Sequence, residues 1–430
     1  MTSQSGVLTV APGRPLRGLL RVPGDKSISH RAAILGGIAG GVTRVSGFLR
    51  AEDCLSTLRC LRALGVAIDE QRDTLVIHGG PLAEPGDVLD VGNSGTTIRL
   101  LAGVLAGQPF HSVLTGDASI RRRPMARVAE PLRQMGAHIS GRQGGRLAPL
   151  AIAGASLRGI AYATPVASAQ VKSAILLAGL FAEGETSVAE PSQSRDHTER
   201  MLGAFGVPVR CEGLTARLTG PAALRGTAVR VPGDLSSAAY FLVAGALVPG
   251  SEVAVADVGI NPTRTGVLDI LRMMGACVEV RDEREEGGEP VGTVAVRAGP
   301  LRGVLIGGTV IPRAIDELPV LAVAACLAAG ETLIRDAAEL RVKESDRVAV
   351  LARELGRLGA DITPQPDGLV IAGGRRLHGG RVRSGGDHRI AMALAVAGLC
   401  ADGPVIIEDP ACIETSFPGF EAALRRAAGG

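Results

Sequence analysis

Positive side chains recur in this sequence at glycine-bearing turns that lead into alanine-rich stretches. The first turn, GDKSISHRAAILGG, supplies Lys26, Ser27 and Arg31. Backbone N–H groups at a helix start, a hydroxyl and two cations offer a phosphate or carboxylate several charge-assisted hydrogen bonds. The same residues also read as a capped surface helix with solvated charges. VGNSGTTIRL brings Asn93, Ser94, Gly95, Thr96 and Thr97, then Arg99; glycine lets a ligand approach the backbone closely, although Asn, Ser and Thr equally suit a plain N-cap. Arg121, Arg122 and Arg123 precede Pro124, a compact run whose ordinary explanation is a solvated face. TPVASAQVKSA gives Ser168, Gln170 and Lys172, and QSRDHTER gives Arg195, Asp196 and His197. The second half adds Asp316 and Glu317 in AIDELPVLA, Lys343, Glu344, Asp346 and Arg347 in RVKESDR, and Asp387, His388 and Arg389 in GGDHRIAMA.

One such turn is decoration. Six aimed into one space would hold one or two ligands carrying several negative charges, leaving Asp316 and Glu344 to move protons. Nucleotide binding loses its usual support, because neither G-x-x-x-x-G-K-[ST] nor a G-x-G-x-x-G after a strand occurs. The seven histidines show no HExxH and no short ligand spacing, so no metal is expected.

These turns need elements to carry them, and the sequence repeats. The pattern apolar-x-x-apolar-Gly followed by a β-like run occurs as LRALGVAID at Gly65, LRQMGAHIS at Gly136, LGAFGVPVR at Gly206, LRMMGACVEV at Gly275 and LGRLGADIT at Gly359. The intervals are 71, 70, 69 and 84 residues, and LRRAAGG closes the chain as a weaker echo. Such a period predicts six copies of an α/β unit, with glycine stopping one helix of each in a left-handed turn. A second echo, RVPGDKS at Arg21 and RVPGDLSS at Arg230, marks two points where the chain passes between domains. The expected domains are residues 24–232, and residues 1–23 plus 233–430, with three repeats each and ligands in the cleft between them. A continuous solenoid of six units is the alternative.

Composition narrows the function. At 430 residues the chain is long enough for two cores. Apolar residues at 46% and charged residues at 21% are ordinary for a globular protein, but aromatics reach only 2% with no Trp. Stacking on bases is therefore poorly supplied, and a net charge of +3 gives no strong overall field, so nucleic acid is not an expected partner. Seven scattered cysteines without a C-x-x-C pair fit a reduced cytoplasm. No apolar run approaches the roughly 20 residues of a membrane span.

The motifs GDKSISHR, GNSGTTIRL, GDASIRRRPM, ASAQVKSA, RDHTER, NPTRTG, IDELPVLA, RVKESDR, DHRIAMA and TSFPGF, in this order across about residues 10 to 425, resemble the EPSP synthase family and within it the second bacterial class. The resemblance implies a two-domain inside-out α/β barrel of βαβαββ repeats. It implies transfer of the enolpyruvyl group of phosphoenolpyruvate to the 5-hydroxyl of shikimate 3-phosphate, by a cytoplasmic monomer without metal or cofactor. Carried over by motif, shikimate 3-phosphate is held by Lys26, Ser27, Arg31, Ser168, Ala169, Gln170, Arg195, Asp316 and Lys343. Phosphoenolpyruvate is held by Lys26, Gly95, Arg123, Gln170, Arg347 and Arg389. Asp316, Glu344 and Lys26 are the expected catalytic groups. Thr415 departs from the lysine many family members have at that place. Gly95, where herbicide-tolerant members have alanine, implies an open space that leaves the enzyme sensitive to glyphosate. A related enolpyruvyl transferase acting on UDP-N-acetylglucosamine is disfavoured, because GDASIRRRPM lacks the reactive cysteine usual there. A non-catalytic anion-binding repeat protein would not need Asp316 and Glu344.

Overall fold

The computed structural model describes residues 2–4 and 6–428. The chain divides into two compact units: a middle unit of Gly24–Val231 with Glu285–Glu289, and a terminal unit of Met1–Pro23, Pro232–Arg284 and Pro290–Gly430. In the middle unit the helices are α1 (Lys26–Ile38), α2 (Glu52–Ala63), α3 (Gly95–Ala106), α4 (Ala126–Gln134), a single distorted turn α5 (Arg142–Gly145), α6 (Ala169–Gly179) and α7 (His197–Ala204). The terminal unit carries α8 (Leu235–Leu247), α9 (Gly266–Met273), the one-turn α10 (Ile311–Ala314), α11 (Leu318–Leu327), α12 (Arg347–Arg357), α13 (His388–Cys400) and α14 (Phe420–Ala427).

Each unit has three sheets, all built to one plan: an edge strand pairs in parallel with the next, which pairs antiparallel with a third. In the sheet holding Gly41–Ser46, for instance, Ala228–Arg230 is the parallel edge and Thr74–Gly79 the antiparallel neighbour. Leu147–Ala153 alternates buried and half-buried residues, the signature of a sheet with one covered face.

The covering helices fall into two kinds. In α1, α3 and α6, and again in α8, α11 and α13, nearly every residue is buried. A helix apolar all round belongs inside. By contrast α2, α4, α7, α9 and α12 bury one stripe, and each ends in the same way. Gly65, Gly136, Gly206, Gly275 and Gly359 all have φ between 86° and 112°. The residue after each glycine donates its N–H back to a buried leucine: Val66 to Leu61, Ala137 to Leu132, Val207 to Leu202, Ala276 to Leu271 and Ala360 to Leu355. This is the left-handed helix stop the spacing predicts. The last two glycines of the terminal echo lie outside the described residues.

Each unit has its own apolar core. Four of the chain's few aromatics, Tyr240, Phe241, Phe417 and Phe420, cluster in the terminal unit with ring centres 5.3 to 6.1 Å apart. The middle core relies on close helix approach instead. A Cβ on Gly103 of α3 would stand 2.2 Å from the Ala174 carbonyl oxygen of α6. Gly103→Ala should therefore lower stability by about 1–3 kcal/mol. Gly356→Ala in α12, where a Cβ meets nothing within 4 Å, should be neutral or stabilising by about 0.5–1 kcal/mol; urea titration of both variants checks the contrast.

Candidate active site

Chemistry gathers at the N-terminal ends of the buried helices, where unsatisfied backbone N–H groups and buried side chains must find partners. In the middle unit Asp25 caps α1 by accepting from the Ile28 N–H. Lys26, the first residue of α1, lies 3.0 Å from Asp53 at the start of α2. Arg31, one turn on, is buried and donates to Thr198 Oγ1 at 2.6 Å, to Ser173 Oγ at 2.7 Å and to the Ser27 carbonyl at 2.9 Å. Burial lowers its pKa to about 10, with the nearby Arg195 adding to the fall and Glu199 and Asp25 opposing it, so it remains a cation at neutral pH. Arg195 itself reaches Ser27 Oγ at 3.4 Å.

His30 lies in the core of the middle unit. It is fully buried, and desolvation, then Lys26 and Arg31, hold its pKa well below the ordinary value, so the ring is neutral. Nδ1 meets Thr57 Oγ1 at 2.7 Å while Nε2 has no partner. An Nε2–H would be a buried donor left unmade, the costlier error, so the proton sits on Nδ1. The hydrogen bonds then run one way: His30 to Thr57, Thr57 to Thr97 at 2.7 Å, and Thr97 to Ser94, the N-cap of α3, at 2.6 Å. One chain thus sets α1, α2 and α3 against each other.

At the start of α3, Gly95 faces two guanidinium groups. A Cβ there would lie 2.8 Å from Arg123 Nη1 and 3.0 Å from Arg99 Nη1. The open space expected beside Gly95 is therefore occupied by two flexible cationic ends. Arg123 donates to Asn93 Oδ1 at 2.9 Å, and Arg99 donates to Gln170 Oε1 at 2.6 Å; Gln170 in turn donates to Thr96 at 3.0 Å. Of the arginine run only Arg123 is buried, while Arg121 and Arg122 are exposed. Ser168 is the N-cap residue of α6 but its side chain does not cap; its N–H donates to Glu190 Oε1 at 3.2 Å, and Ala169 opens the helix.

The terminal unit holds a second constellation. Arg347, 1% exposed, is ringed by acids: Glu344 at 2.6 Å, Asp387 at 2.8 Å and Asp316 at 3.3 Å. Burial alone would lower the Arg347 pKa, but the three carboxylates outweigh it and the net shift is upward. Arg389 lies 3.4 Å from the other oxygen of Asp316 and is likewise raised, burial being outweighed first by Asp316. Lys343 shifts down through burial, with Arg347 adding to the fall. Beneath Asp316 the side chain of Glu317 is buried against Ser236, which with Asp234 accepts from Arg264 at 2.7 and 2.9 Å.

The structure thus groups Lys26, Ser27, Arg31 and Arg195 in one unit, with Gly95, Arg123 and Gln170 forming a neighbouring set there, and Asp316, Glu344, Arg347 and Arg389 in the other. Sequence reasoning passed over Asp53 and Glu190, which lie outside every quoted motif, and did not single out Thr198 and Glu199 in RDHTER or Arg264 in NPTRTG. Asp387 and Arg99 stood inside quoted motifs, and their neighbours were the available signal. Among the described residues no group of three His, Cys, Asp or Glu side chains could hold a metal ion. Burial also pushes the thiols of Cys60, Cys326 and Cys400 up to about 12, far from nucleophilic at neutral pH.

Residues 10–424 match the sequence model of EPSP synthase (3-phosphoshikimate 1-carboxyvinyltransferase). A 3-phosphoshikimate 1-carboxyvinyltransferase of Desulforudis audaxviator is 59% identical across 97% of this chain and 98% of its own length. One from Gloeobacter violaceus is 59% identical with the same two coverages. Among solved structures, an EPSP synthase of Acinetobacter baumannii superposes with a TM-score of 0.87 at 48% identity, covering 98% of each chain.

The ring around Arg347 makes a stability prediction. Asp387 is fully buried and accepts from two nitrogens of Arg347, so Asp387→Ala leaves the guanidinium without that two-point partner and removes the cap of α13. Urea denaturation should show a loss of about 3–5 kcal/mol. Asp361→Asn, which loses only the exposed pair with Arg375, should cost under about 1 kcal/mol.

Proposed function

The chain belongs to the EPSP synthase family, the 3-phosphoshikimate 1-carboxyvinyltransferases of the shikimate pathway, and we propose how its own residues divide the work. The reaction moves the enolpyruvyl group of phosphoenolpyruvate onto the 5-hydroxyl of shikimate 3-phosphate and releases phosphate, a step toward the aromatic amino acids. Both substrates are small anions, and the observation that carries the assignment of roles is the placement of buried cations at helix starts beside Asp316 and Glu344.

Shikimate 3-phosphate is held by Lys26, Ser27, Arg31, Ser168, Ala169, Gln170, Arg195 and Lys343, with Asp316 at its reacting hydroxyl. Phosphoenolpyruvate is held by Lys26, Gly95, Arg123, Gln170, Arg347 and Arg389. Planar guanidinium forks suit this work because each can grip a carboxylate or phosphate at two points. Asp316 takes the proton of the 5-hydroxyl as the oxygen attacks C2 of phosphoenolpyruvate. Glu344, with Lys26, gives a proton to the methylene carbon. The tetrahedral adduct then loses phosphate, Asp316 and Glu344 reversing their roles as the methyl group gives back a proton and the double bond re-forms. Arg347 and Arg389 keep their positive charge throughout, since their acid neighbours raise both pKa values, and stabilise the charge that builds on the phosphoenolpyruvate anion.

We read the six like-patterned sheets, three in each unit, as six βαβαββ repeats of an inside-out α/β barrel, and the two units as domains 24–232 and 1–23 plus 233–430. The presence of free cysteines, Cys211 and Cys277 among them exposed, supports a cytoplasmic protein. We take it to act as a monomer.

Phosphate release from phosphoenolpyruvate is the test. It should occur with shikimate 3-phosphate and not with UDP-N-acetylglucosamine; release with the second acceptor alone would replace this reading by its rival. Asp316→Asn and Glu344→Gln should each lower kcat by about 10²–10⁴-fold, whereas a mere anion binder would show no turnover to lose. Gly95→Ala pushes its methyl against Arg123 and Arg99. It should raise the KM for phosphoenolpyruvate by about tenfold and relieve competition by glyphosate, which should inhibit the unaltered enzyme. Unchanged competition in the variant would remove Gly95 from the phosphoenolpyruvate set.

A further inference from the structure

Lys172 is buried to 3% exposure on α6, two residues after Gln170, and no step above employs it. Its Nζ stands 2.7 Å from Glu190 Oε2 and 2.7 Å from Glu199 Oε1, and both glutamates are buried as well. Burying three charges is weak evidence for stability, because well-packed apolar residues commonly do as well or better. The trio is also not optimised as a stabilising network: Glu199 Oε2 is buried with no hydrogen-bond partner. What the three groups touch beyond each other is more informative.

Glu190 spends its second oxygen on the Ser168 N–H, at 3.2 Å. That bond anchors the turn whose serine hydroxyl is not used as a helix cap. Glu199 follows Thr198 on α7, and Thr198 Oγ1 both accepts from Arg31 Nε and shares a hydrogen bond with Ser173 Oγ at 2.6 Å. Ser173, next to Lys172 on α6, accepts from Arg31 Nη2. Lys172 therefore ties together the turn at Ser168, the start of α7 and the side chain of Arg31. The side chain of Gln170 is held independently, by Arg99 and Thr96.

We propose that Lys172 is a positioning residue for the shikimate 3-phosphate subsite: through Glu190 it sets the Ser168 turn, and through Glu199 it sets α7 against Arg31. The inference rests on the assignment of Ser168 and Arg31 to that substrate. Burial by itself would lower the Lys172 pKa, but Glu199 and Glu190 outweigh it and raise it, so the ammonium stays charged while the enzyme works. Gly95 and Arg123 are reached through α3, and Gln170, which serves both substrates, has its side chain held by Arg99 and Thr96 rather than by the trio.

Steady-state phosphate release with each substrate varied in turn separates positioning from general loosening. Lys172→Met should raise the KM for shikimate 3-phosphate by about tenfold while the KM for phosphoenolpyruvate moves less than about twofold. Glu190→Leu, which removes the acceptor of the Ser168 N–H, should match it. Glu190→Gln keeps a carbonyl oxygen for that N–H and should give a rise of only about threefold. If Lys172→Met does not fold, the order of the two Glu190 variants decides: equal effects of Gln and Leu overturn the proposal. A parallel rise in both KM values, or a fall in kcat alone, also overturns it. Ser168→Ala is assayed alongside. If it leaves the KM for shikimate 3-phosphate unchanged, the assignment of the subsite fails and the inference falls with it; if it raises that KM while Lys172→Met does not, the inference alone is wrong.

Discussion

Three helices in each unit are buried on every side, and the rest of the structure answers to how closely they pack. Helices that approach until a glycine of one touches a backbone carbonyl of another, as Gly103 of α3 does with Ala174 of α6, leave no room for large side chains. That is the physical reason for alanine-rich motifs and an aromatic content of 2%. Four of the nine rings are gathered around Tyr240 and Phe420 in the terminal unit. The outer helices, each burying a single stripe, are less constrained, and a glycine in left-handed conformation is enough to end them.

Burying helices whole also buries their ends, and this is where function arises. A helix N-terminus inside a protein has N–H groups that must be satisfied and a dipole that favours anions. The chain supplies permanent acceptors at four of the six: Asp25, Ser94, Asp234 and Asp387 all accept a backbone N–H of their own helix. The cations then have to be balanced where they stand. Arg347 is compensated by three carboxylates, Arg31 by neutral hydroxyls and more distant acids. Those different solutions explain the opposite directions of their pKa shifts.

Much of this was legible in the sequence because it depends on local chemistry. Glycine at 65, 136, 206, 275 and 359 announces a helix stop whatever surrounds it, and aspartate or serine before an apolar run announces a helix start. Motif resemblance singled out Asp316, Glu344 and Arg347, and the structure places both carboxylates beside the Arg347 guanidinium. What could not be read were partners brought in from elsewhere in the chain. Asp53 meets Lys26 from the next helix, Glu190 meets Ser168 and Lys172 from a loop, and Arg264 reaches Ser236 and Asp234 from 28 and 30 residues away. Gly95 shows the same limit from the other side, since absence of a side chain reads as space, yet Arg99 and Arg123 fold back to fill it.

The position of Arg347 bears on the chemistry itself. Its guanidinium holds Glu344 with Nη2 and Asp316 with Nη1, so the two acids we propose as the proton carriers share one cation. A proton taken up by either carboxylate leaves Arg347 balanced by the other and by Asp387. This arrangement suits a reaction in which one acid gains a proton as the other gives one up, because the net charge around Arg347 is the same before and after the exchange. The buried frame set by Asp387 need not reorganise as the protons move, and fixed surroundings of that kind are what make electrostatic stabilisation effective in a transition state.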